Sequence, residues 1–470
     1  MHTTVETQRG TWTSRLGFIL AAAGSAIGLG NLWKFPYVTW SGGGGAFVVV
    51  YLTAVAVVGL PIMIAEILLG RRTQKSSVGA LREALGPAWG WLGLFGVLTG
   101  SVILSYYTVI AGWTLRYFVI CLQWSLGGFV ASESSTQAFA EFTANGWLQA
   151  LLVTLFMVGT MTAVYRGISG GIEKVARYLM PVLFAILLVL LLNALRMPGA
   201  GEALGFLFRP DFSQLPARGA LEALGQAFFS LSLGMGAMIT YGSYLGKKES
   251  IVRSAAIVVV LDTLIAMTAA VILFSVIFSV PGMQNEISGS TIGMLFIALP
   301  ELIYTAVPLG RLMAPLFYLF VAFAALTSTV SLLEVGVSYL IDQRGTTRKQ
   351  AVFGWGLVIW IVAIGCSLSL GAADFLSRFS WVYRGTEHAK VGLFAHLDYL
   401  ASNWLLSIGG FCITLGVGWV LSRRVAEEEL LDDTTPGWFH FGAWRFFMRY
   451  VAPIAVAVII AAVLSGMDFS

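Results

Sequence analysis

The chain has 470 residues, of which 57% are hydrophobic and only 11% are charged, with a formal net charge of +4. Soluble globular proteins carry about 25% charged residues, so this composition excludes an ordinary soluble domain and predicts a helical membrane protein with several spans. The apolar runs do not alternate with polar residues, which argues against a transmembrane barrel. The cysteines and histidines show no paired or clustered spacing, and no block of Lys and Arg resembles a nucleic-acid patch. We therefore expect no disulfide framework, no zinc cluster and no nucleic-acid partner.

Eleven apolar runs follow a polar N-terminal segment that lacks a cleavable signal pattern. A membrane helix needs roughly 20 apolar residues, and each run is close to that length. When the N-terminus is placed in the cytoplasm, most Lys and Arg residues fall in cytoplasmic segments, as the positive-inside rule requires. We predict a multi-pass protein of the cell (inner) membrane, with the N-terminus inside and the C-terminus outside. The predicted spans are 14–38, 46–70, 91–124, 147–164, 172–195, 219–245, 253–279, 311–341, 351–371, 401–421 and 446–465.

The first run is interrupted within 24–36 by closely spaced glycines, a serine and an asparagine. Each glycine weakens a helix by about 1 kcal/mol relative to alanine, so the helix is expected to open there. Open backbone at this depth must be buried in protein or line a wet cavity, because lipid leaves carbonyls unsatisfied. Carbonyls that converge with the Asn31 side chain would suit a small, hard cation. From these residues alone, the alternative is that the glycines only permit close helix packing.

The sixth run is interrupted in the same way at 230–236, Ser-Leu-Ser-Leu-Gly-Met-Gly. The two breaks lie five spans apart, so the repeats 14–195 and 219–421 would enter the membrane with opposite polarity, followed by an extra span at 446–465. Paired interrupted spans in inverted halves predict a secondary-transporter site between them. A hydroxyl cluster in the eighth run and the mid-membrane Asp262 add polar groups, and such an acid is a functional hypothesis by default. The alternative for Asp262 is a structural partner of a hydroxyl or amide.

The motif at 28–36, Gly-Leu-Gly-Asn-Leu-Trp-Lys-Phe-Pro, preceded by Arg9-x-x-Trp12, resembles the neurotransmitter:sodium symporters, as do the motifs at 230–236 and 241–244. The eleven-span form is most similar to the bacterial multi-hydrophobic amino-acid transporters. The resemblance covers nearly the whole chain as a single transporter domain. It implies an all-α, leucine-transporter-like fold with a 5+5 inverted repeat, broken helices 1 and 6 and 11 transmembrane helices. It also implies a sodium-coupled symporter rather than an enzyme.

Matching positions imply two sodium sites and one substrate site. The first sodium would be held, with the substrate carboxylate, by the Ala26 carbonyl, Asn31, Ser230 and Asp262. The second would be held by the carbonyls of Gly24, Ile27 and Ala324 and by Thr327 and Ser328. The substrate carboxylate would also meet the Gly28 and Gly30 amides and the Tyr107 hydroxyl. The implied substrate site comprises Ser25, Ala26, Gly28, Gly30, Ile103, Tyr107, Phe229, Ser230, Ser232, Met235, Ser328 and Leu332.

The resemblance also implies two gates and a flexible point in the fifth helix. The outer gate would be Phe229 over the site, with Lys34 facing Asp398. Many members have Arg where this chain has Lys34, and Lys lacks the bidentate fork of Arg, so the outer gate would be looser. The inner gate would pair Arg9 with Asp342, near Trp12, Ser243 and Tyr244. The Gly-x9-Pro motif, which implies local unwinding and a water path to the second sodium, is matched by Gly171 and Pro181.

We expect a zwitterionic, hydrophobic or aromatic L-amino acid as substrate, because no charged residue falls among the side-chain positions. Asp262 stands where Asn is common in the family, and the resemblance implies that chloride in other members binds near Tyr51, Gln226 and Ser230. We expect Asp262 to supply that negative charge, to make transport independent of chloride and to take up a proton for the return step. Small amino acids or taurine-like substrates, and a non-transporting sensor of the same fold, remain alternatives. The oligomeric state stays open, with a dimer as one option.

Overall fold

The computed structural model describes residues 10–129, 134–281, 291–383, 390–431 and 433–469. Within these ranges, nine helices are long and apolar enough to cross a membrane, and the bent pair Arg15–Ala26 and Gly30–Ser41 makes a tenth span. A short antiparallel ladder pairs Ser380–Trp381 with Lys390–Val391. The nine helices are Gly45–Thr73, Pro87–Gly127, Gly146–Tyr165, Ile168–Ala194, Ile251–Ser279, Gly310–Arg344, Arg348–Leu368, Gly392–Val420 and Phe441–Leu464.

The predicted sixth run folds as two short helices, Gly219–Ser230 and Ala237–Gly242. Between them the backbone enters the left-handed region at Ser232, Gly234 and Gly236, with φ of 53°, 80° and 75°. A Cβ atom on Gly234 would lie 2.6 Å from the Leu406 carbonyl oxygen. Glycine is therefore needed here both for the left-handed backbone angles and for the lack of space. The predicted break is therefore present. This pair would complete the predicted count of 11 spans, which stays a prediction.

Burial separates an inner pair of spans from outer ones. In Pro87–Gly127 and Gly310–Arg344, which pack along each other, 72% of the most apolar stretch is buried. The corresponding share is only 33% in Ile168–Ala194 and 39% in Arg348–Leu368. Lipid can cover apolar side chains as well as protein can, so the outer spans keep an apolar outer face. The first broken span packs against Gly310–Arg344, which places the break in the centre of the molecule.

The fifth span carries a local irregularity where the Gly-x9-Pro motif was predicted to matter. Its first turn, Ile168–Ile172, is a π-helical turn that contains Gly171, and Pro181 lies inside the following helix. A Cβ atom on Gly171 would lie 2.0 Å from the Ala163 carbonyl oxygen, so no side chain fits there. π-Turns often occur at functional sites, because the wider turn weakens the regular hydrogen-bond ladder.

Shorter elements connect the spans. The stretch 280–310 has prolines around an apolar segment that is too short to span a membrane, and this pattern predicts a re-entrant or capping helix pair. Of this stretch, 282–290 lie outside the described residues, and the rest contains the short helix Thr291–Gly293 and the short apolar helix Leu295–Ala306. The other short helices are Ser77–Leu85, Ser135–Ala144, Ala200–Phe208, Phe212–Gln214, Asp374–Ser377 and Arg423–Leu430.

The topology can be tested with reporters at the C-terminus. Eleven spans and a cytoplasmic N-terminus would place a protein fused to Ser470 outside. A fluorescent protein that matures only in the cytoplasm should therefore stay dark, whereas alkaline phosphatase at the same position should be active. Bright fluorescence with inactive phosphatase would mean an even number of spans.

Candidate substrate and ion site

The first span is interrupted between Arg15–Ala26 and Gly30–Ser41, and its two parts are bent by 58°. Ile27 adopts extended backbone angles, with φ −71° and ψ 100°, so the helix ends there. The last carbonyls of the first part lack partners within a continuing helix and carry partial negative charge. The start of the second part carries partial positive charge. One break therefore offers favourable places for a cation and for an anionic group.

Three buried polar side chains from three spans meet beside this break. The Asn31 amide donates to Asp262 Oδ1 at 2.7 Å and to the Asp262 carbonyl at 3.2 Å. The Ser230 hydroxyl donates to Asp262 Oδ2 at 2.6 Å. The structure thus brings together the three side chains predicted for the first sodium. Ala26, whose carbonyl completes that prediction, is the last residue of the first helical part.

The oxygens predicted for the second sodium converge on the hydroxyl of Ser328. Thr327 Oγ1 lies 2.9 Å from the Ala324 carbonyl oxygen. A Cβ atom on Gly24 would lie 3.0 Å from Thr327 Cβ, so the first and eighth spans touch at this point. The donor set consists of oxygen atoms, the ligand type that hard cations prefer. The carbonyl oxygens near Ser328 Oγ are those of Gly24 at 3.4 Å and of Ser25, Ile27 and Ala324 at 3.3 Å.

Tyr107 lies against the first break. Its hydroxyl accepts a hydrogen bond from the Leu29 amide at 2.8 Å, next to Gly28 and Gly30, whose amides the resemblance implies for the substrate carboxylate. A Cβ atom on Gly28 would lie 2.7 Å from both Tyr107 Oη and Ser328 Oγ. Glycine is needed at position 28 because two polar side chains approach its backbone from opposite spans.

The residues of the predicted side-chain pocket lie beside the two breaks. Ser232 Oγ donates to the Ser25 carbonyl at 3.0 Å, which ties the second break to the first. Ile103, Met235 and Leu332 are all buried. Gly100 of the third span, which the sequence analysis missed, faces them. A Cβ atom there would lie 3.7 Å from Leu332 and 3.8 Å from the Met235 carbonyl, which is ordinary van der Waals contact.

A cavity of about 240 Å³ leads to the break from the Lys34 end of the first span. Gly30, Tyr107 and Phe229 line it together with Lys34 and Asp398. A Cβ atom on Gly30 would lie 2.7 Å from the Phe229 ring, so this ring sits directly against the broken span. Lys34 Nζ lies 5.0 Å from the centroid of the Phe229 ring, within cation–π range.

The stretch that follows the last span enters this cavity. Lys34 Nζ donates to the carbonyl of Phe469, and the Phe469 amide donates to Asn403 Oδ1 at 2.8 Å. Asn403 Nδ2 in turn donates to Asp468 at 3.1 Å. The outer gate was predicted as Lys34 facing Asp398. Both residues line the cavity, yet the hydrogen bond of Lys34 goes to Phe469.

The other end of the first span is closed by aromatic and charged groups. The Trp12 indole donates to the Tyr241 carbonyl at 3.0 Å, and the Trp12 amide donates to the Tyr244 carbonyl at 3.2 Å. The Tyr244 hydroxyl donates to Glu334 at 2.7 Å, and Arg348 holds both carboxylate oxygens of Glu334 at 2.8 Å. The first and sixth broken spans are therefore bound together here, whereas residues of both spans line the cavity at the Lys34 end.

The other predicted inner-gate residues have partners of their own. Asp342 accepts a hydrogen bond from the Ser76 amide at 2.6 Å, and Ser243 donates to the Thr240 carbonyl at 2.7 Å. Arg9, the predicted partner of Asp342, lies outside the described residues.

Three buried acids in apolar runs, Glu66, Glu173 and Glu334, were missed by the sequence analysis, and two of them lie deep within their spans. Glu66 in the second span accepts a hydrogen bond from the Gly234 amide at 2.7 Å and so satisfies open backbone in the second break. Glu334 in the eighth span joins Tyr244 to Arg348. Both could have been found by the argument applied to Asp262, since a lone acid within an apolar run requires a partner.

A buried, oxygen-rich centre between two broken spans defines a secondary transporter of the inverted-repeat class. The chain belongs to the family described as "Sodium:neurotransmitter symporter family", which matches residues 9–136 and 132–468. The "Uncharacterized sodium-dependent transporter YhdH" of Bacillus subtilis is 35% identical over 97% of this chain and 98% of its own length. The crystal structure of MhsT in complex with L-phenylalanine matches with a TM-score of 0.85 at 39% identity, over 98% of this chain and 100% of that chain.

A more distant relative is a dog protein described as a sodium- and chloride-dependent taurine transporter. It is 27% identical over 84% of this chain and 68% of its own length. Together the comparisons confirm the predicted family and the leucine-transporter-like fold. The chain is a multi-pass, sodium-dependent membrane transporter and not an enzyme.

The close approach at Gly28 predicts a sharp effect on sodium binding. In Gly28→Ala, the added methyl group should displace Ser328 Oγ, and overpacking of about 1–3 kcal/mol corresponds to sodium binding at least about fivefold weaker. The rise of the melting temperature with sodium concentration measures this. Gly201→Ala is the control, because a Cβ atom there meets nothing within 4 Å. Equal sodium responses in the two variants would contradict the packing argument.

Proposed function

We propose that this protein is a sodium-coupled symporter that carries zwitterionic, hydrophobic or aromatic L-amino acids into the cell by alternating access, with two sodium ions. The observation that carries the proposal is the convergence of the Gly24, Ile27 and Ala324 carbonyls on Ser328, next to the separate cluster around Asp262. Both sets present oxygen to a cation, and both use backbone or side chains of the first broken span. Movement of that span would therefore change both cation sites together.

In the proposed mechanism, Asn31, Ser230 and Asp262 bind one sodium with the Ala26 carbonyl. Thr327 and Ser328 bind the other with the three carbonyls of the first and eighth spans. Tyr107 and the amides at the start of Gly30–Ser41 orient the substrate carboxylate. The Tyr107 hydroxyl can donate its own hydrogen to a substrate carboxylate oxygen while it accepts from the Leu29 amide.

The substrate class follows from the apolar wall of the pocket. Met235 is flexible and can fill gaps of varied shape beside Ile103 and Leu332, so several apolar side chains fit one site. An acidic or basic side chain would be buried there without a charged partner, at a cost of several kcal/mol. The likeness to MhsT, whose crystal structure holds L-phenylalanine, supports an aromatic or large aliphatic substrate. The taurine transporter among the relatives keeps a small substrate as the alternative.

The cavity at the Lys34 end supports access from the predicted outer side. Phe229 and Lys34 would close over the substrate there, with Asp398 on the facing wall. Trp12, Tyr244 and the Glu334–Arg348 pair would form the closed inner side, together with the predicted pair Arg9 and Asp342. Transport would require the outer residues to close before the inner contacts break.

Uptake by the purified protein in proteoliposomes tests the proposed function. An inward sodium gradient should drive accumulation of labelled L-phenylalanine or L-leucine, and glutamate or lysine should not compete. Binding without sodium-driven accumulation would identify a sensor. Competition by glycine or taurine, but not by leucine, would favour the small-substrate alternative.

Single oxygen ligands should control the sodium dependence. Interactions with a charged group contribute about 1.5–3 kcal/mol, so Thr327→Ala and Asn31→Ala should each raise the sodium concentration for half-maximal uptake by about tenfold or more, or abolish uptake. Thr53→Ala is a matched control, since Thr53 is exposed and its hydroxyl donates to the Val49 carbonyl of its own helix. Unchanged sodium dependence in both site variants would overturn the two-site assignment.

The charge of Asp262 underlies the proposed chloride independence. Two sodium ions and a zwitterion bring a net charge of about +2 into the centre, and one opposite charge at about 4 Å is worth about 4 kcal/mol at an effective dielectric of 20. Asp262 is fully buried and its two carboxylate oxygens accept from neutral donors, so its charge is available to the ions. After the ions leave, a bare carboxylate in this place is costly, and uptake of a proton would relieve it.

Replacing chloride by gluconate should leave uptake by the wild type unchanged, and an outward-directed proton gradient should stimulate it. Asp262→Asn preserves the shape but removes the charge, and should abolish uptake or make it depend on chloride. Asp211→Asn, at an exposed position outside the spans, is the control. Normal uptake by Asp262→Asn without chloride would show that the carboxylate is only structural.

A further inference from the structure

A second cavity of about 390 Å³ lies between the last two long spans, and its lining shares no residue with the transport site. It is formed where Gly392–Val420 ends and Phe441–Leu464 begins, on the side that the charge distribution predicts to be cytoplasmic. Its lining includes Arg423, Arg445 and Arg449.

Two of these arginines are held in place by the preceding span. Arg445 donates to the carbonyls of Val417 and Leu421 at 3.0 and 2.7 Å, and Arg449 Nε donates to the Gly418 carbonyl at 2.9 Å. These are carbonyls of the last turn of a helix, which have no partner within the helix. The bonds explain part of the basic cluster, but a carbonyl does not neutralise a full positive charge.

The positive charge of the three arginines is only partly balanced by the described carboxylates. Among the described residues, Glu427 is the one carboxylate that pairs with any of the three arginines, through Arg423 Nε at 2.8 Å. The cavity therefore keeps an excess of two positive charges. Arg449 uses Nε for its bond to the Gly418 carbonyl. Its two terminal guanidinium nitrogens have no hydrogen-bond partner among the described residues, so they can bind a ligand.

Aromatic groups place this basic cavity at the surface that meets the membrane. The Arg449 guanidinium lies 4.9 Å from the ring centroid of Trp419, whose own indole donates to the Arg449 carbonyl at 3.0 Å. Trp419, Phe446 and Tyr450 are 51%, 54% and 43% exposed. Exposed Trp and Tyr beside the end of a membrane helix are typical of the headgroup level of a bilayer.

We propose that this cavity binds the phosphate headgroup of an anionic membrane lipid. Guanidinium groups are planar forks that match phosphate oxygens in bidentate fashion, and basic pockets between membrane helices on the cytoplasmic side suit anionic headgroups. Inorganic phosphate presents the same oxygens. The exposed apolar surface of Val420 and Phe446 next to the arginines favours the lipid, because it offers contact for the acyl chains. The bound headgroup would link the ends of the last two spans.

The purified, full-length protein in a neutral detergent tests the proposal. Its melting temperature should rise when phosphatidylglycerol is added, and should not respond to phosphatidylcholine or to inorganic phosphate. Each basic residue near a membrane surface contributes about fivefold in affinity for anionic lipid, so Arg423→Gln should raise the half-maximal phosphatidylglycerol concentration by about fivefold. This variant retains all the bonds to the helix end, so it should fold.

Arg424→Gln is the matched control, because it removes the same charge from the adjacent position, which lies outside the cavity lining. It should leave the phosphatidylglycerol response unchanged. The double variant Arg423→Gln with Arg449→Gln should weaken the response by about 25-fold, and native mass spectrometry should show less retained phosphatidylglycerol. Equal weakening by Arg424→Gln would indicate general surface attraction and overturn the site. Equal stabilisation by inorganic phosphate would overturn the lipid assignment.

Discussion

A peptide group that leaves a helix inside a membrane has no water to bond with, and this constraint organises the centre of the molecule. Each break exposes backbone that something else must satisfy. At the second break, the Glu66 carboxylate accepts from the Gly234 amide. At the first break, Ser232 donates to the Ser25 carbonyl, and the Ser328 hydroxyl has one hydrogen for the surrounding carbonyls of Gly24, Ser25 and Ile27. The first break therefore retains surplus acceptor oxygens that a cation can use.

Three buried acids illustrate how partners decide the role of a charge in this fold. Glu334 is paired with Arg348 in bidentate geometry, so its charge is neutralised within the protein and it holds Tyr244 in place. Glu66 faces backbone donors and acts as a cap. Within the described part of the chain, Asp262 accepts from the neutral side chains of Asn31 and Ser230, so its charge is left for mobile ions. A buried carboxylate in this fold therefore holds a tyrosine in place, caps open backbone or binds a cation, depending on its hydrogen-bond and charge partners.

The sequence predicts the breaks and their chemistry well because the signal is local. Glycines and hydroxyls inside an apolar run are visible without any knowledge of packing, and the structure has helix ends at Ala26 and Ser230. Contacts between distant positions carry no such signal. The bond from Lys34 to Phe469 joins residues 435 positions apart, and no pattern near either residue indicates it. The bond from the Leu29 amide to Tyr107 likewise joins separate spans, and no pattern near either residue indicates it.

The fifth span links the second cation site to the inner end of the first span, and this gives the Gly-x9-Pro motif a physical meaning. Near the second cation site, a Cβ atom on Gly24 would lie 3.3 Å from the sulfur of Met180 in the fifth span. At the other end, the Thr13 amide donates to Glu173 at 2.8 Å, and a Cβ atom on Gly17 would lie 1.9 Å from the same carboxylate. Both contacts belong to one helix whose first turn is already π-helical. Unwinding of that turn would shift Glu173, free the start of the first span and open the wall beside Ser328. Release of the cation and opening of the inner side would then be two consequences of a single local change.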